Sequence, residues 1–312
     1  MNDHGRAGVV CPQGVLFRGQ PEKTEEEDGS NRKPDDEYLI RRGLLDGGYT
    51  DEEGVTHEHI NIIEAIVVLP ANVFYGTTIP ASIIFFNRNK PAARRDKVLM
   101  VYAAREGWYK ETPNLNVLLP HDILRILVQL EAWGDIKVAK RVIPGHEARL
   151  KARIDEELTF MLSEIDEKYK EEFNELPTVM KQLKDTKLAR TKRTQLEKRA
   201  ERLKIILAKR DTEIQAAFDG ADKEKQAVDT VAQELLAMFA DPEQRKRYFA
   251  IVEREELEEN EFNLNIPRYV DTFEPEEEID LKAAIEAFQE AVALESKLGS
   301  ELQTVFAALG AR

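Results

Sequence analysis

The apolar positions change rhythm along the chain. Near the front they form short unbroken runs, Ala7–Cys11, Ile62–Leu69, Ile79–Phe86 and Val98–Ala103. Runs this short, rich in β-branched residues and bounded by Pro or Gly, predict strands. An unbroken apolar run, unlike strict alternation, predicts a strand covered on both faces, as in an α/β sheet. Between the runs, Glu37–Leu45 and His121–Leu130 predict short amphipathic helices, and Glu22–Glu37 has no apolar face and predicts a surface loop. Further on, apolar residues recur every three or four positions in two long charged stretches, His146–Phe173 and Val179–Phe218. Leu158, Met161, Leu162 and Ile165 mark the first, and Leu203, Ile206, Leu207 and Ile214 the second. With Pro177 between them and Gly220 after, they predict an antiparallel helical hairpin of coiled-coil character. Ile143-Pro144-Gly145 is expected to end the sheet region. Asn263–Val270 predicts a compact turn and strand-like arm. A last helix, Asp280–Leu309, carries a nearly heptad-spaced stripe through Ile285, Phe288, Val292 and Leu298.

Composition narrows the reading. At 312 residues the chain has room for about two domains. A net charge of −14 argues against a protein that coats DNA unaided, because phosphate contacts need clustered Lys and Arg. One local excess of basic residues, Lys187–Lys204, stands out, and Arg190, Lys192 and Arg193 are its candidate phosphate contacts. The plainer reading, a solvated helix face partly paired with Glu197 and Glu201, is favoured by the residues alone. The single cysteine, Cys11, excludes an internal disulfide, fits a reducing cytosol and reads as a core or strand residue. His57 and His59 have no third ligand nearby, so no metal site is predicted. No apolar run approaches the ~20 residues of a membrane span, and the N-terminus lacks the pattern of a signal peptide.

The segment Leu69–Arg88, LPANVFYGTTIPASIIFFNR, resembles the late sheet of N6-adenine DNA methyltransferases, specifically the modification (M) subunit of type I restriction-modification systems. There a similar LP-x-N-x-F-Y-x-T-x-I-P segment lies beside the pocket for the flipped adenine. Gly5–Gly19, GRAGVVCPQGVLFRG, resembles the family's central strand and crossover loop. Glu37–Leu45 resembles the helix that follows it. Asn263–Val270, NLNIPRYV, resembles a second distinctive family segment, with Phe262 where Tyr is usual and with Arg268 and Tyr269 as candidate surface contacts. Pro113-Asn114-Leu115-Asn116 stands where the family shows Gln-Asn, which leaves that loop's role open.

The resemblance implies an α/β fold: a partial S-adenosylmethionine-dependent methyltransferase (Rossmann-like) sheet of about four strands, then a mainly α-helical C-terminal region with a coiled-coil-like hairpin. The implied domains are the catalytic part at 1–145, a hairpin insertion at 146–240, and an arm and helix for subunit docking at 241–312. Phe74, with Tyr75 second, is implied as the ring that stacks on the flipped base, and Asn72 and Thr77 as residues that orient the loop. The competing reading makes both aromatics core plugs at the sheet edge; the resemblance favours the pocket role. S-adenosylmethionine is the implied cofactor, but no Asn-Pro-Pro-aromatic tetrapeptide occurs and no G-x-G follows an apolar strand. The chain is therefore expected to be a C-terminal portion, from a split subunit, a late internal start or an interrupted frame. It should hold no catalytic or cofactor residue of its own and be inactive alone. Implied partners are a specificity subunit, a restriction subunit, DNA through the complex, and a separate N-terminal methylase half. Two other readings stay open: a non-enzymatic helical module that binds a specificity subunit, and a helical nucleic-acid-binding protein acting through Lys187–Lys204.

Overall fold

The computed structural model describes residues 4–21, 33–46, 49–50, 56–57, 61–272 and, beyond these, 285, 288–289, 291–292, 294–295 and 298. Met1–Thr272 form one compact unit and Phe273–Arg312 a second.

In the first unit the order is β1 (Arg6–Pro12), α1 (Asp36–Leu45), the two-residue strands β2 (Tyr49–Thr50) and β3 (Thr56–His57), β4 (Ile63–Val68), β5 (Ala81–Asn87) and β6 (Lys97–Tyr102). The short strands β7 (Lys110–Glu111) and β8 (Asn116–Val117) precede the helices α2 (Pro120–Ala132), α3 (Ile136–Lys168), α4 (Lys170–Leu183) and α5 (Arg190–Ala240). A one-turn α6 (Pro242–Lys246), β9 (Phe249–Glu253), α7 (Arg254–Glu259) and a 3-10 turn at Ile266–Arg268 complete it.

The expected apolar runs all become strands of one sheet, a mixed five-stranded sheet of order β1-β5-β4-β6-β9. Only β4 and β6 run parallel; the other neighbours are antiparallel. The unbroken run in β4 is buried on both faces. Ala65 and Val67 join the core under α2, α3 and α5, while Ile66 and Val68 join a second core with Leu16, Leu257, Leu264 and Ile266. Burial of this kind is worth about 1.5–3 kcal/mol per large side chain. A bulge between Ile63 and Ala65 is closed by the buried Lys90, whose ammonium donates to the carbonyls of Ile63 (2.9 Å) and Lys97 (2.6 Å).

Several boundaries differ from expectation. The segment read as a central strand, β1, pairs only with β5 and lies at the end of the described sheet. The fifth strand, Phe249–Glu253, follows the helices and pairs with β6; its short pattern is embedded in charged sequence and gave no strand signal. Asn263–Val270 is a turn and 3-10 segment rather than strand-like. The helical stretch expected from His146, after Ile143-Pro144-Gly145, begins at Ile136, and α3 runs through Pro144 for 33 residues in all. Pro177 lies inside α4, and Gly220 inside the 51-residue α5. A mid-helix proline costs roughly 3 kcal/mol. Here Pro144 and Pro177 face solvent, while their neighbours Ile143, His146 and Val179 are buried and hold the helix by packing.

The chain reverses at residues 184–189, so α5 returns antiparallel to α3 and α4. Glu175–Arg199, Asp166–Arg210, Lys168–Glu213, Asp155–Lys225 and Lys151–Asp229 mark the register. Exposed ion pairs add little energy. The seam is apolar: Ile143, Leu150, Ile154 and Leu158 share a core with Ala221, Val228, Val231 and Leu235. No helix among the described residues is long and apolar enough to cross a membrane.

In the second unit all the described residues are helical. Ile285, Phe288, Val292, Leu294 and Leu298 among them are exposed. The rest of the expected Asp280–Leu309 helix lies outside the described residues, as does His59.

Candidate functional site

The β4–β5 loop, Leu69–Pro80, leaves the end of the sheet and is pinned at its base. The Leu69 N–H donates to the Ala81 carbonyl (2.9 Å), and Gln13 N–H to the Pro80 carbonyl (3.0 Å). Within the loop, Thr77 Oγ1 accepts from the Ile79 N–H at 3.1 Å, a local turn of the kind Ser and Thr favour. Asn72 takes a left-handed conformation (φ 56°), which Asn tolerates better than other non-glycine residues. The next such position, φ 79°, is Gly76.

The loop turns Val73 inward against the core, while Phe74 is 42 % and Tyr75 89 % exposed. Neither ring is a core plug in this structure. Both are available beyond the carboxyl end of β4, with Ile79 beside them at 60 % exposure. What holds the loop is a second loop. Asn116 N–H donates to the Asn72 carbonyl (2.7 Å), its Nδ2 to the Ala71 carbonyl (3.0 Å), and Asn72 Nδ2 reaches the Asn114 carbonyl at 3.5 Å. The Pro113–Asn116 stretch is thus a brace for the aromatic loop. The asparagines of that stretch were visible in the sequence; the partner they brace was not.

The two other segments singled out in the sequence meet on the opposite face of the sheet. Leu264 N–H donates to the Leu16 carbonyl at 2.8 Å, and both side chains are fully buried. The buried Arg41 guanidinium of α1 ties the same junction, donating to the carbonyls of Phe262 (3.1 Å), Val15 (3.3 Å) and Arg18. Burial lowers its pKa. Sequence reasoning missed Arg41, since one arginine in a charged helix carries no local mark. Of the candidate surface contacts, Arg268 is exposed and reaches Asn260 Oδ1 (3.2 Å). Tyr269 is half-buried, donates its hydroxyl to the Asn263 carbonyl (2.5 Å), and has its pKa pushed up by burial, so it works as a clasp inside the turn. Cys11 is half-buried beside β5, and burial raises its pKa, as for an inert thiol.

The basic candidates divide. Arg193 ties the 184–189 reversal, donating to the carbonyls of Asp185 (2.8 Å) and Leu183 (3.5 Å). Arg190 and Lys192 are exposed and make no ion pair among the described residues. They lie at the far end of the hairpin, so the structure does not bring them together with Phe74 and Tyr75 in one pocket.

S-adenosylmethionine does not fit the described residues. A cofactor cradle of the usual kind is a glycine-bearing turn from a strand into a helix N-terminus. Among the described residues, β4 and β5 are joined by the aromatic loop, and β1 runs into a 3-10 turn. There Gly14 faces the Arg18 side chain. No group of three His, Cys, Asp or Glu side chains that would hold a metal occurs among them either.

Residues 55–159 match the family described as N-6 DNA Methylase, a span that includes β4, the aromatic loop, its Asn116 brace and much of α3. The chain is 30 % identical over 145 residues to the Type I restriction enzyme MjaVII methylase subunit of Methanocaldococcus jannaschii, covering 46 % of this chain and 20 % of that protein. It is 37 % identical over 97 residues to the Type I restriction enzyme HindI methylase subunit of Haemophilus influenzae, covering 30 % of this chain and 21 % of that one. Among solved structures, the type I restriction-modification system methyltransferase subunit from Streptococcus thermophilus matches at TM-score 0.36 and 17 % identity, over 86 % of this chain and 27 % of that one. The chain thus spans about a fifth of the curated relatives it matches, 20 % and 21 %.

Proposed function

From a chain related to the methylase subunits of type I restriction enzymes, we propose the substrate-side portion of an adenine-N6 DNA methyltransferase. The observation that carries this is the β4–β5 loop: within the matched span, it presents Phe74 and Tyr75 to solvent on a braced scaffold. Methylating an adenine amino group requires the base to leave the duplex. An aromatic face then holds it, at roughly 1–3 kcal/mol per stacked base. In this reading Phe74 or Tyr75 stacks on the extruded adenine, while Asn72 and Thr77 keep the loop in shape. The methyl donor in such an enzyme is S-adenosylmethionine. Its binding, and polarisation of the adenine amino group, fall to sequence outside this chain, and the chain alone is inactive.

Residues 1–145, with the returning strand Phe249–Glu253 and the turn at 263–270, are then the end of a Rossmann-like catalytic sheet, 146–240 a coiled-coil-like hairpin, and the remainder of 241–312, from Phe273 on, a docking region. The apolar positions Ile285, Phe288, Val292, Leu294 and Leu298 favour a second role for that last region, binding a helix of a specificity subunit.

The test mixes the purified chain with the part of the M. jannaschii methylase that lies outside its matched segment. Transfer of labelled methyl groups from S-adenosylmethionine to adenine in DNA is then measured. Methylation that needs both parts, and that falls on Phe74→Ala or Tyr75→Ala, is the expected result. Methylation by the chain alone would refute the division of labour. Stable binding to a specificity subunit with no methylation in any mixture would leave a non-enzymatic docking module.

A further inference from the structure

The long helix α5 divides its basic residues between two faces. On the side turned to α3 and α4 they are engaged: Arg193 ties the 184–189 reversal, Arg199 pairs with Glu175, and Arg210 with Asp166. On the outer side, Thr191, Gln195, Lys198, Arg202, Ile205 and Lys209 recur at alternating four- and three-residue steps, the spacing of one helix face. All six are exposed, and they point away from the seam of Leu196, Ala200 and Leu203. Lys198, Arg202 and Lys209 form no ion pair among the described residues. Lys198 and Arg202 stand one turn apart, where like charges repel. The nearby carboxylates do not relieve them. Glu197 and Glu201 lie at the margin of the stripe, and Glu201 is turned to Lys204 at 3.9 Å. From Lys181 to Lys209 the chain carries eleven Lys and Arg against three Asp and Glu, although its net charge is −14. Cations are thus collected at one end of the hairpin, while the rest of it is cross-paired. The stripe is about 27 Å long at 1.5 Å per residue, and the packing of Val179 on Ala200 and Leu203 holds it as one face.

We propose that this stripe of α5 is a phosphate-contact face for duplex DNA, separate from the aromatic loop. It rests on the function proposed above for the choice of DNA as the polyanion. The side chains are of the types that bind phosphate oxygens, Lys and Arg with Thr and Gln beside them. Successive helix turns set them about 5.4 Å apart, and the stripe spans most of the ~34 Å of one duplex turn. A lipid surface would need an apolar face beside the cations, and the stripe offers only Ile205. A second copy of this chain would have to present carboxylates over the same length. The acidic helix α7, at six residues, reaches about 9 Å. Lys198 lies 37 residues from Leu235, which packs in the core under the sheet, a separation of about 55 Å along the helix. Contacts there add affinity without reading bases.

The experiment uses the whole 312-residue chain and a labelled duplex of arbitrary sequence, about 20 base pairs or two helical turns long. Fluorescence anisotropy gives the binding constant across a salt series. Binding that weakens as salt rises is the expected result. Lys198→Gln, Arg202→Gln and Lys209→Gln combined should weaken it about tenfold or more, and flatten the slope of log K against log salt by roughly 2–3, at about 0.9 per phosphate. The thermal midpoint should not fall, since glutamine suits a helix and the like charges are gone. Lys137→Gln, Lys140→Gln and Lys223→Gln combined remove the same charge elsewhere and should change the slope by less than about 1. No binding at low salt, or equal losses in the two triple variants, overturns the phosphate face. Polyglutamate that displaces the duplex charge for charge assigns the stripe to an acidic protein and overturns it as well. So does salt-sensitive self-association of the chain alone that the stripe variant abolishes. Duplex binding through the stripe, with no methylation in any mixture, would keep this face and sink the function proposed above. Methylation with duplex binding indifferent to the stripe would do the reverse.

Discussion

Asn116 donates its backbone N–H to the carbonyl of Asn72 at 2.7 Å, while its side chain reaches the neighbouring Ala71 carbonyl at 3.0 Å. Two loops far apart in sequence are thereby closed into one unit, and the exposed rings of Phe74 and Tyr75 ride on it. Asn116→Ala removes the side-chain bond and keeps the backbone bond. It should cost about 1 kcal/mol, read as a lower urea midpoint, and should speed chymotryptic cleavage after Phe74 and Tyr75. Asn72→Gly suits the left-handed backbone and should be nearly neutral. Asn72→Ile should cost about 1–2 kcal/mol.

The aromatic rings themselves contribute little to the fold. Phe74→Ala and Tyr75→Ala should each shift stability by less than about 0.5 kcal/mol, the ordinary range for exposed positions. On the proposed function, loss of the ring that stacks on the base should lower kcat/KM of the reconstituted mixture by roughly 5- to 150-fold, the equivalent of about 1–3 kcal/mol. Fluorescence of 2-aminopurine at the target position reads base extrusion directly, and the ring whose loss abolishes the signal change is the stacking residue.

Lys90 should leave a signature in the pH dependence of stability. Burial lowers its pKa to about 8 in the folded chain, against about 10.4 when unfolded. Between those values the unfolded state binds more protons, so stability rises with pH across that window. Below pH ~8 the burial penalty is fully present; above ~10.4 it is gone. Lys90→Met should lack this rise when compared with the parent protein by urea denaturation at each pH. At pH 7 it should still be the less stable of the two, because the Ile63 and Lys97 carbonyls lose their donor.

The basic end of the hairpin separates structural from electrostatic roles. Arg193→Ala should lower the thermal midpoint, since it unties the 184–189 reversal. Arg190→Ala with Lys192→Ala should leave stability unchanged. If those two residues contact phosphates in the assembled enzyme, the double variant should flatten the slope of log K against log salt by roughly 2, at about 0.9 per contact. An unchanged slope assigns them to a solvated helix face.

Gly145 and Gly220 lie in helix interiors with nothing within 4 Å of an added Cβ. Each Gly→Ala change should stabilise by about 0.5–1 kcal/mol, measured as a higher urea midpoint.

Local pattern alone was enough for the strands that begin in Ala7, Ile62, Ile79 and Val98 and for the short helices: an unbroken apolar run needs no partner to be recognised, and it reflects burial on both faces in β4 and β6 though not in the exposed β1. The aromatic loop was legible for the same reason, being bounded by two such runs. Helix ends were not. Pro144, Pro177 and Gly220 are local stop signals, each worth a few kcal/mol at most; the apolar seam between α3 and α5 outweighs the first and last, and the packing of Val179 on Ala200 and Leu203 outweighs Pro177. The strand Phe249–Glu253 is held by its pairing with β6 more than 140 residues away, a distance at which no local pattern operates. The same holds for the Asn116 brace and for Arg41, whose partners outside its own helix lie in two segments, 15–18 and Phe262. The edge position of β1 was likewise hidden: its composition is that of a strand covered on both faces, and only the tertiary arrangement places it at the end of the described sheet, paired with β5 alone.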